Sequence, residues 1–116
     1  MARIVMKFGG TSVADLDRIR NVARFVRREA EAGHKIVVVV SAMAGETNRL
    51  VALCKEAGEP AQGVGLAGVE YDAVVASGEQ VTSGLLAAVL QNQGLRARSW
   101  QGGQITPQTD KAHGQA

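Results

Sequence analysis

The chain has 116 residues and a formal net charge of +2; 46% of its residues are hydrophobic and 21% are charged. This length suits one domain or part of one, and the balance of apolar and charged residues excludes a fibrous or intrinsically disordered protein. The basic residues are spread along the chain, which argues against a nucleic-acid partner. The longest strongly apolar run, Ile36 to Val40, is too short to cross a bilayer, and the N-terminus does not resemble a signal peptide. We therefore expect a soluble cytoplasmic protein without a membrane partner.

The first predicted element is a strand from Arg3 to Phe8, which ends at Gly9-Gly10. A helix is predicted to come next, with Ser12 or Asp15 as its N-cap and Gly33 as its C-terminal stop. Apolar residues recur at helical spacing, which predicts one buried stripe formed by Ile19, Val22, Ala23 and Val26.

The clearest predicted strand runs from Lys35 to Val40. Its four consecutive valines show no alternation, which indicates burial on both faces of a parallel sheet. After Ser41 we expect a loop and then a helix capped by Thr47 or Asn48. Cys54 falls on an apolar position of this helix, which predicts a buried thiol rather than a disulfide or a reactive cysteine.

The rest of the chain predicts a loop from Gly58 to Gly68, a helical stretch from about Val69, a longer helix ending near Gly94, and a third strand from Arg96 to Trp100. Within the loop, Gly63 to Gly68 fits a dinucleotide-binding pattern. No buried strand precedes it, so a flexible loop is favoured. Alternating strands and helices predict an α/β layer fold.

Ligands of open α/β sheets bind beyond the carboxyl ends of the strands, so the residues at the end of the first strand are informative. They bring a cation, exposed backbone amides and hydroxyls together, namely Lys7, Gly9, Gly10, Thr11 and Ser12. These groups suit a polyphosphate, although a tight turn beside a solvated lysine fits them equally well. The lysine precedes the glycines, so the pattern is not a Walker A loop.

Three segments resemble the N-terminal motifs of the aspartate kinases: a first segment Lys7–Val13 (KFGGTSV), a second segment Val39–Met43 (VVSAM) and a third segment Ser77–Glu79 (SGE). Residues 100–104, 109–110 and 113–114 resemble the stretch after the third motif in that family. The resemblance implies an α/β, amino-acid-kinase-like open three-layer sandwich around a mainly parallel sheet, here truncated. Residues 1–116 would be its N-terminal substrate- and phosphate-binding portion, without the nucleotide half and the regulatory ACT domains.

The resemblance also implies a role for each motif residue. Lys7 would be catalytic and contact the transferring phosphate, with Gly9, Gly10, Thr11 and Ser12 around it. Ser41 and Thr47 would face aspartate or the phosphoryl group, and Glu79 would hold the substrate ammonium. Thr47 as a helix cap and Glu79 as a first-turn acid are the plain alternatives. ATP and Mg²⁺ would be held mainly by residues outside this chain, and neither His34 nor His113 suggests a metal site.

The parent enzyme would phosphorylate the side-chain carboxylate of L-aspartate, the first step of lysine, threonine and methionine biosynthesis, as a homo-oligomer. The 116-residue chain alone is expected to be inactive. The alternatives are another amino-acid kinase, of the glutamate or acetylglutamate type, and a non-catalytic interaction module. Nucleic-acid binding by the five arginines of the first helix is disfavoured, because acidic residues accompany them.

Overall fold

The structure is a computed structural model that describes residues 2–58 and 68–100. Its elements come in the order β1 (Arg3–Phe8), a 3₁₀ turn (Gly10–Val13), α1 (Leu16–Glu31), β2 (Lys35–Val40), α2 (Glu46–Gly58) and α3 (Gly68–Asn92). The predicted α/β class is confirmed, and the two strands of the described sheet are parallel.

The two strands pair in register from Arg3 with Lys35 to Phe8 with Val40, and α1 makes the crossover between them. Their side chains alternate between a half-buried and an exposed face. Val37 and Val39 are 61% and 46% exposed, so the predicted burial of β2 on both faces is wrong for the described residues. The reason is that α1 and α3 both pack on the face that carries Ile36, Val38 and Val40.

The ends of α1 show the predicted capping. The Asp15 carboxylate accepts a hydrogen bond from the Arg18 backbone N–H at 2.8 Å, so Asp15 and not Ser12 is the N-cap. At the other end, Gly33 has φ +94° and the His34 N–H donates to the Glu29 carbonyl at 3.3 Å, which is the Schellman arrangement. The predicted stripe on α1 is buried and forms the centre of the core with Val13, Leu86 and Leu90.

Helix α2 begins earlier than predicted. Gly45 has φ +83° and its carbonyl accepts from the Arg49 N–H at 3.0 Å, so the helix starts at Glu46. Thr47 therefore lies within the first turn, and the expectation that Thr47 or Asn48 caps the helix is wrong. Cys54 is 5% exposed on the inner face of α2, which confirms the buried thiol.

One continuous helix, α3, replaces the two expected helices, and the third segment lies in its middle. By length and composition α3 could cross a bilayer, but the core helix of a soluble protein passes the same test. This helix packs against both α1 and α2 and buries Thr82, Leu86 and Leu90. One face of α3 therefore belongs to the core of the described residues.

Residues 95–100 do not form the predicted third strand. Their exposure still alternates with the period of an extended chain, and Leu95 and Ala97 pack against the core. The Ala97 carbonyl accepts a hydrogen bond from the Gln91 side-chain amide at 2.7 Å, a bond to α3 rather than to a neighbouring strand. The predicted loop through Gly63–Gly68 and the motif residues beyond Trp100 lie outside the described residues, apart from Gly68 at the start of α3.

Candidate functional site

The first segment turns sharply where β1 ends. Gly9 precedes the 3₁₀ turn in an extended conformation, and its carbonyl accepts from the Ser12 N–H at 3.0 Å. The side chains of Thr11 and Ser12 are exposed, while Val13 is fully buried and anchors the turn in the core. Two hydroxyls and a glycine backbone therefore reach solvent beyond the strand end, where a phosphate group can be bound.

Lys7 lies on the exposed face of the sheet at the carboxyl end of β1, opposite Val39 in the register. Each ion pair between described residues joins an arginine or a histidine to an acidic residue other than Glu79. Neither Lys7 nor Glu79 therefore belongs to one. Both charges are therefore free, within the described part of the chain, to act on a ligand.

Gly10 brings the first segment against the second. A Cβ added to Gly10 would lie 3.0 Å from the Ala42 carbonyl oxygen and 3.7 Å from backbone atoms of Ala44. The strand ends are also joined directly, because the Ser41 N–H donates to the Phe8 carbonyl at 3.2 Å. The glycine is thus required for close approach of two backbones.

Gly78 brings the third segment against the same residue. A Cβ added to Gly78 would lie 2.9 Å from the Ala42 methyl carbon and 3.2 Å from the Leu50 Cδ1 atom. Ala42 is 5% exposed and lies close to both glycine-containing segments. Segments far apart in sequence therefore meet at Ala42; two of them are strand ends, and the third is the middle of a helix.

Glu79 lines an open groove of about 530 Å³ between α3, β2 and residues 97–100. Val39 lines this groove and is also the register partner of Lys7, so one residue of β2 neighbours both the groove of Glu79 and the strand position of Lys7. The groove lining does not include Lys7, Ser41 or Thr47.

The remaining predicted residues lie in the connection from β2 to α2. Ser41 is half-buried beside Phe8, and Thr47 is exposed in the first turn of α2. Next to Thr47, the Glu46 carboxylate accepts a hydrogen bond from Arg49 Nε at 2.7 Å. A hydroxyl at Thr47 is therefore open to a ligand approaching the start of α2.

The sequence interpretation missed the contact of Ala42 with Gly10 and Gly78. One signal was present, because glycine in a helix interior costs about 1 kcal/mol relative to alanine and usually has a packing reason. The alanine itself carried no comparable signal, since small apolar residues are common in such connections.

Several charged groups on α1, outside the three segments, have structural partners. On α1, Arg18 pairs with Asp15, Arg20 with Asp17 and Arg27 with Glu31, all at exposed positions. These contacts agree with a solvated helix face rather than a nucleic-acid surface.

His34 lies at the far end of the sheet, where its Nδ1 atom accepts a hydrogen bond from the Ala2 N–H at 3.0 Å. Among residues 2–58 and 68–100, no group of three or more His, Cys, Asp or Glu side chains could hold a metal ion.

Comparison with known proteins agrees with the motif arrangement. The model of the amino acid kinase family matches residues 2–113. The aspartokinase of Pseudomonas aeruginosa is 49% identical and that of Rickettsia felis 45% identical over 116 residues, which is 100% of this chain. The chain spans only 27% and 28% of the length of those two proteins.

Solved structures give the same result for the fold. The aspartate kinase from Synechocystis superimposes with a TM-score of 0.69 at 39% identity. The superposition covers 77% of this chain and 14% of the Synechocystis chain. Aspartokinase III of E. coli, in complex with aspartate and ADP, gives a TM-score of 0.66 at 25% identity over 83% of this chain and 30% of that one. The chain therefore belongs to the amino acid kinase family.

Proposed function

We propose that this chain is the N-terminal, substrate- and phosphate-binding portion of an aspartate kinase, which transfers the γ-phosphate of ATP to the side-chain carboxylate of L-aspartate. The observation that carries the proposal is the meeting of the three segments at Ala42. The similarity to aspartokinases along the whole chain supports it.

In this proposal the first segment binds the transferring phosphoryl group. The backbone amides of Gly9 and Gly10 and the hydroxyls of Thr11 and Ser12 donate hydrogen bonds to phosphoryl oxygens, and the Lys7 ammonium stabilises the charge that develops during transfer. The Lys7 side chain suits this role, because it is exposed at the strand end and outside the ion pairs of the described residues.

Aspartate is selected by the other two segments. The Glu79 carboxylate pairs with the substrate ammonium, and the hydroxyls of Ser41 and Thr47 donate to its carboxylates or to the phosphoryl group. The nucleophile is the substrate carboxylate, which is ionised at neutral pH and needs no general base. Catalysis then depends mainly on positioning and charge stabilisation.

The nucleotide and Mg²⁺ are held mainly by residues outside this chain, since the matched relatives are more than three times longer. Mg²⁺ would supply charge neutralisation between the β- and γ-phosphates. The E. coli relative was solved with aspartate and ADP, which supports these ligands for the proposed parent. We place the parent enzyme in the cytoplasm, as a homo-oligomer in lysine, threonine and methionine biosynthesis.

The experiment that tests the proposal uses a chimera, in which this chain replaces the matching N-terminal part of the P. aeruginosa aspartokinase. We expect ADP release to depend on L-aspartate, and the unjoined chain to give none. Glutamate and N-acetylglutamate should be poor acceptors, which would exclude the other amino-acid kinases. A folded chimera that phosphorylates none of these acceptors would instead favour a non-catalytic interaction module.

A further inference from the structure

Ala42 is a spacer between the elements that carry the proposed ligand-binding groups. Its carbonyl oxygen faces Gly10, the neighbour of Gly9, and its methyl group faces Gly78, the neighbour of Glu79. Ala42 itself comes directly after Ser41. A change in its contacts therefore acts on a proposed binding residue, Gly10, or on a residue directly bonded to one.

Gly78 lies in the eleventh position of the 25-residue helix α3, where glycine is less favourable than alanine. The structure gives the reason for the glycine, because a methyl group there would lie 2.9 Å from the Ala42 methyl carbon. The turn is fixed on its other side by Thr82, which is fully buried and donates from Oγ1 to the Gly78 carbonyl at 3.1 Å. Added bulk at Gly78 must therefore increase the separation between α3 and the connection that carries Ala42.

We propose that Gly78 and Ala42 are positioning residues: their contact sets the distance between α3 and the connection from β2 to α2, and so places the Glu79 carboxylate for the substrate ammonium. This inference rests on the proposed function, in which Glu79 binds aspartate. The inference attributes selectivity for the amino-acid substrate to a contact between two small residues, neither of which touches a ligand.

The test compares the same glycine-to-alanine substitution at two positions of α3 in the chimera. Gly78→Ala should raise KM for aspartate roughly tenfold to a hundredfold, because small misplacements of a binding group are costly. KM for ATP should stay within about twofold, because the nucleotide is held elsewhere. Gly84→Ala is the matched control, since a Cβ there would meet no described atom within 4 Å; it should leave both KM values unchanged.

A size exchange tests the contact itself. The double variant with Ala42→Gly and Gly78→Ala has one methyl group in the contact, as the original chain does. It should restore most of the affinity for aspartate. Should Gly78→Ala prevent folding, Ala42→Ser probes the same contact from the other side and should raise KM for aspartate selectively.

The outcomes separate the two proposals. A folded chimera without aspartate-dependent activity would contradict the proposed function. An active chimera in which Gly78→Ala behaves like Gly84→Ala, or in which it lowers the melting temperature without changing KM for aspartate, would contradict the positioning role alone.

Discussion

At the scale of single residues, the proposed chemistry depends on two charges that have no ion-pair partner among residues 2–58 and 68–100. The acidic residues of α1 are paired with arginines, whereas Lys7 and Glu79 take part in no ion pair of the described residues. Motif resemblance singled out both residues in the sequence as candidates for the site. The sequence alone did not place Glu79 in the middle of a helix beside the end of β2.

Replacing Glu79 by glutamine keeps the size of the side chain and removes its charge. In the chimera we expect KM for aspartate to rise about tenfold or more, because a charge-assisted contact contributes about 1.5–3 kcal/mol. Steady-state kinetics would measure this. Glu70→Gln, an exposed acid in the first turn of the same helix, is the control and should have no effect. Equal kinetics for the two variants would remove Glu79 from the substrate site.

At the scale of elements, capping and periodicity made α1 predictable almost to the residue. Elements whose form depends on packing were not predictable. The start of α2 is set by Gly45, and α3 continues through a region where Ser77 and Gly78 are weak helix formers. Residues 95–100 have the alternation of a strand but bond to α3, since a β-ladder needs a partner backbone that local sequence does not specify.

The N-cap of α1 gives a test of local stability in the 116-residue chain. Asp15→Ala removes the acceptor of the Arg18 N–H and should lower the free energy of unfolding by about 1 kcal/mol. Asp17→Ala removes an exposed ion pair with Arg20 and an acid of the first turn but introduces a better helix former, so it should cost less than about 0.5 kcal/mol. Urea unfolding monitored by circular dichroism measures both. A larger loss for Asp17→Ala would refute the capping assignment.

Two glycines that have room for a methyl group should respond in opposite directions. Gly84→Ala lies inside α3 and should stabilise the chain by up to about 1 kcal/mol. Gly33→Ala should destabilise it by about 1 kcal/mol, because Gly33 adopts φ +94°. The same unfolding measurement applies, and stabilisation by Gly33→Ala would contradict the left-handed cap.

At the scale of the whole molecule, the described residues form two layers, with helices on one face of a two-stranded sheet. The other face exposes Val5 and Val37 at 70% and 61%. Such apolar surface, next to strand edges that no other described strand pairs, favours association between copies when no other layer covers it. An open apolar face is expected of a truncated sandwich, but the unbroken run of valines alone does not reveal which face of β2 the chain itself covers.

The 116-residue chain is therefore expected to self-associate in a concentration-dependent manner, and Val37→Lys should reduce this association. Val69→Lys is the control, because Val69 is 73% exposed at the start of α3, away from the sheet. Sedimentation velocity over a range of concentrations measures both. Equal behaviour of the two variants would show that the sheet face is not responsible.

The most direct measurement of the central claim compares two lysines on the same exposed face of the sheet in the chimera. Lys7 lies at the carboxyl end of β1 and Lys35 at the opposite end, where β2 begins. Lys7→Ala should lower kcat on the order of a hundredfold, equivalent to about 3 kcal/mol of transition-state stabilisation, while Lys35→Ala should leave it unchanged. Near-normal turnover by a folded Lys7→Ala enzyme would contradict the assignment of phosphoryl transfer to this strand end.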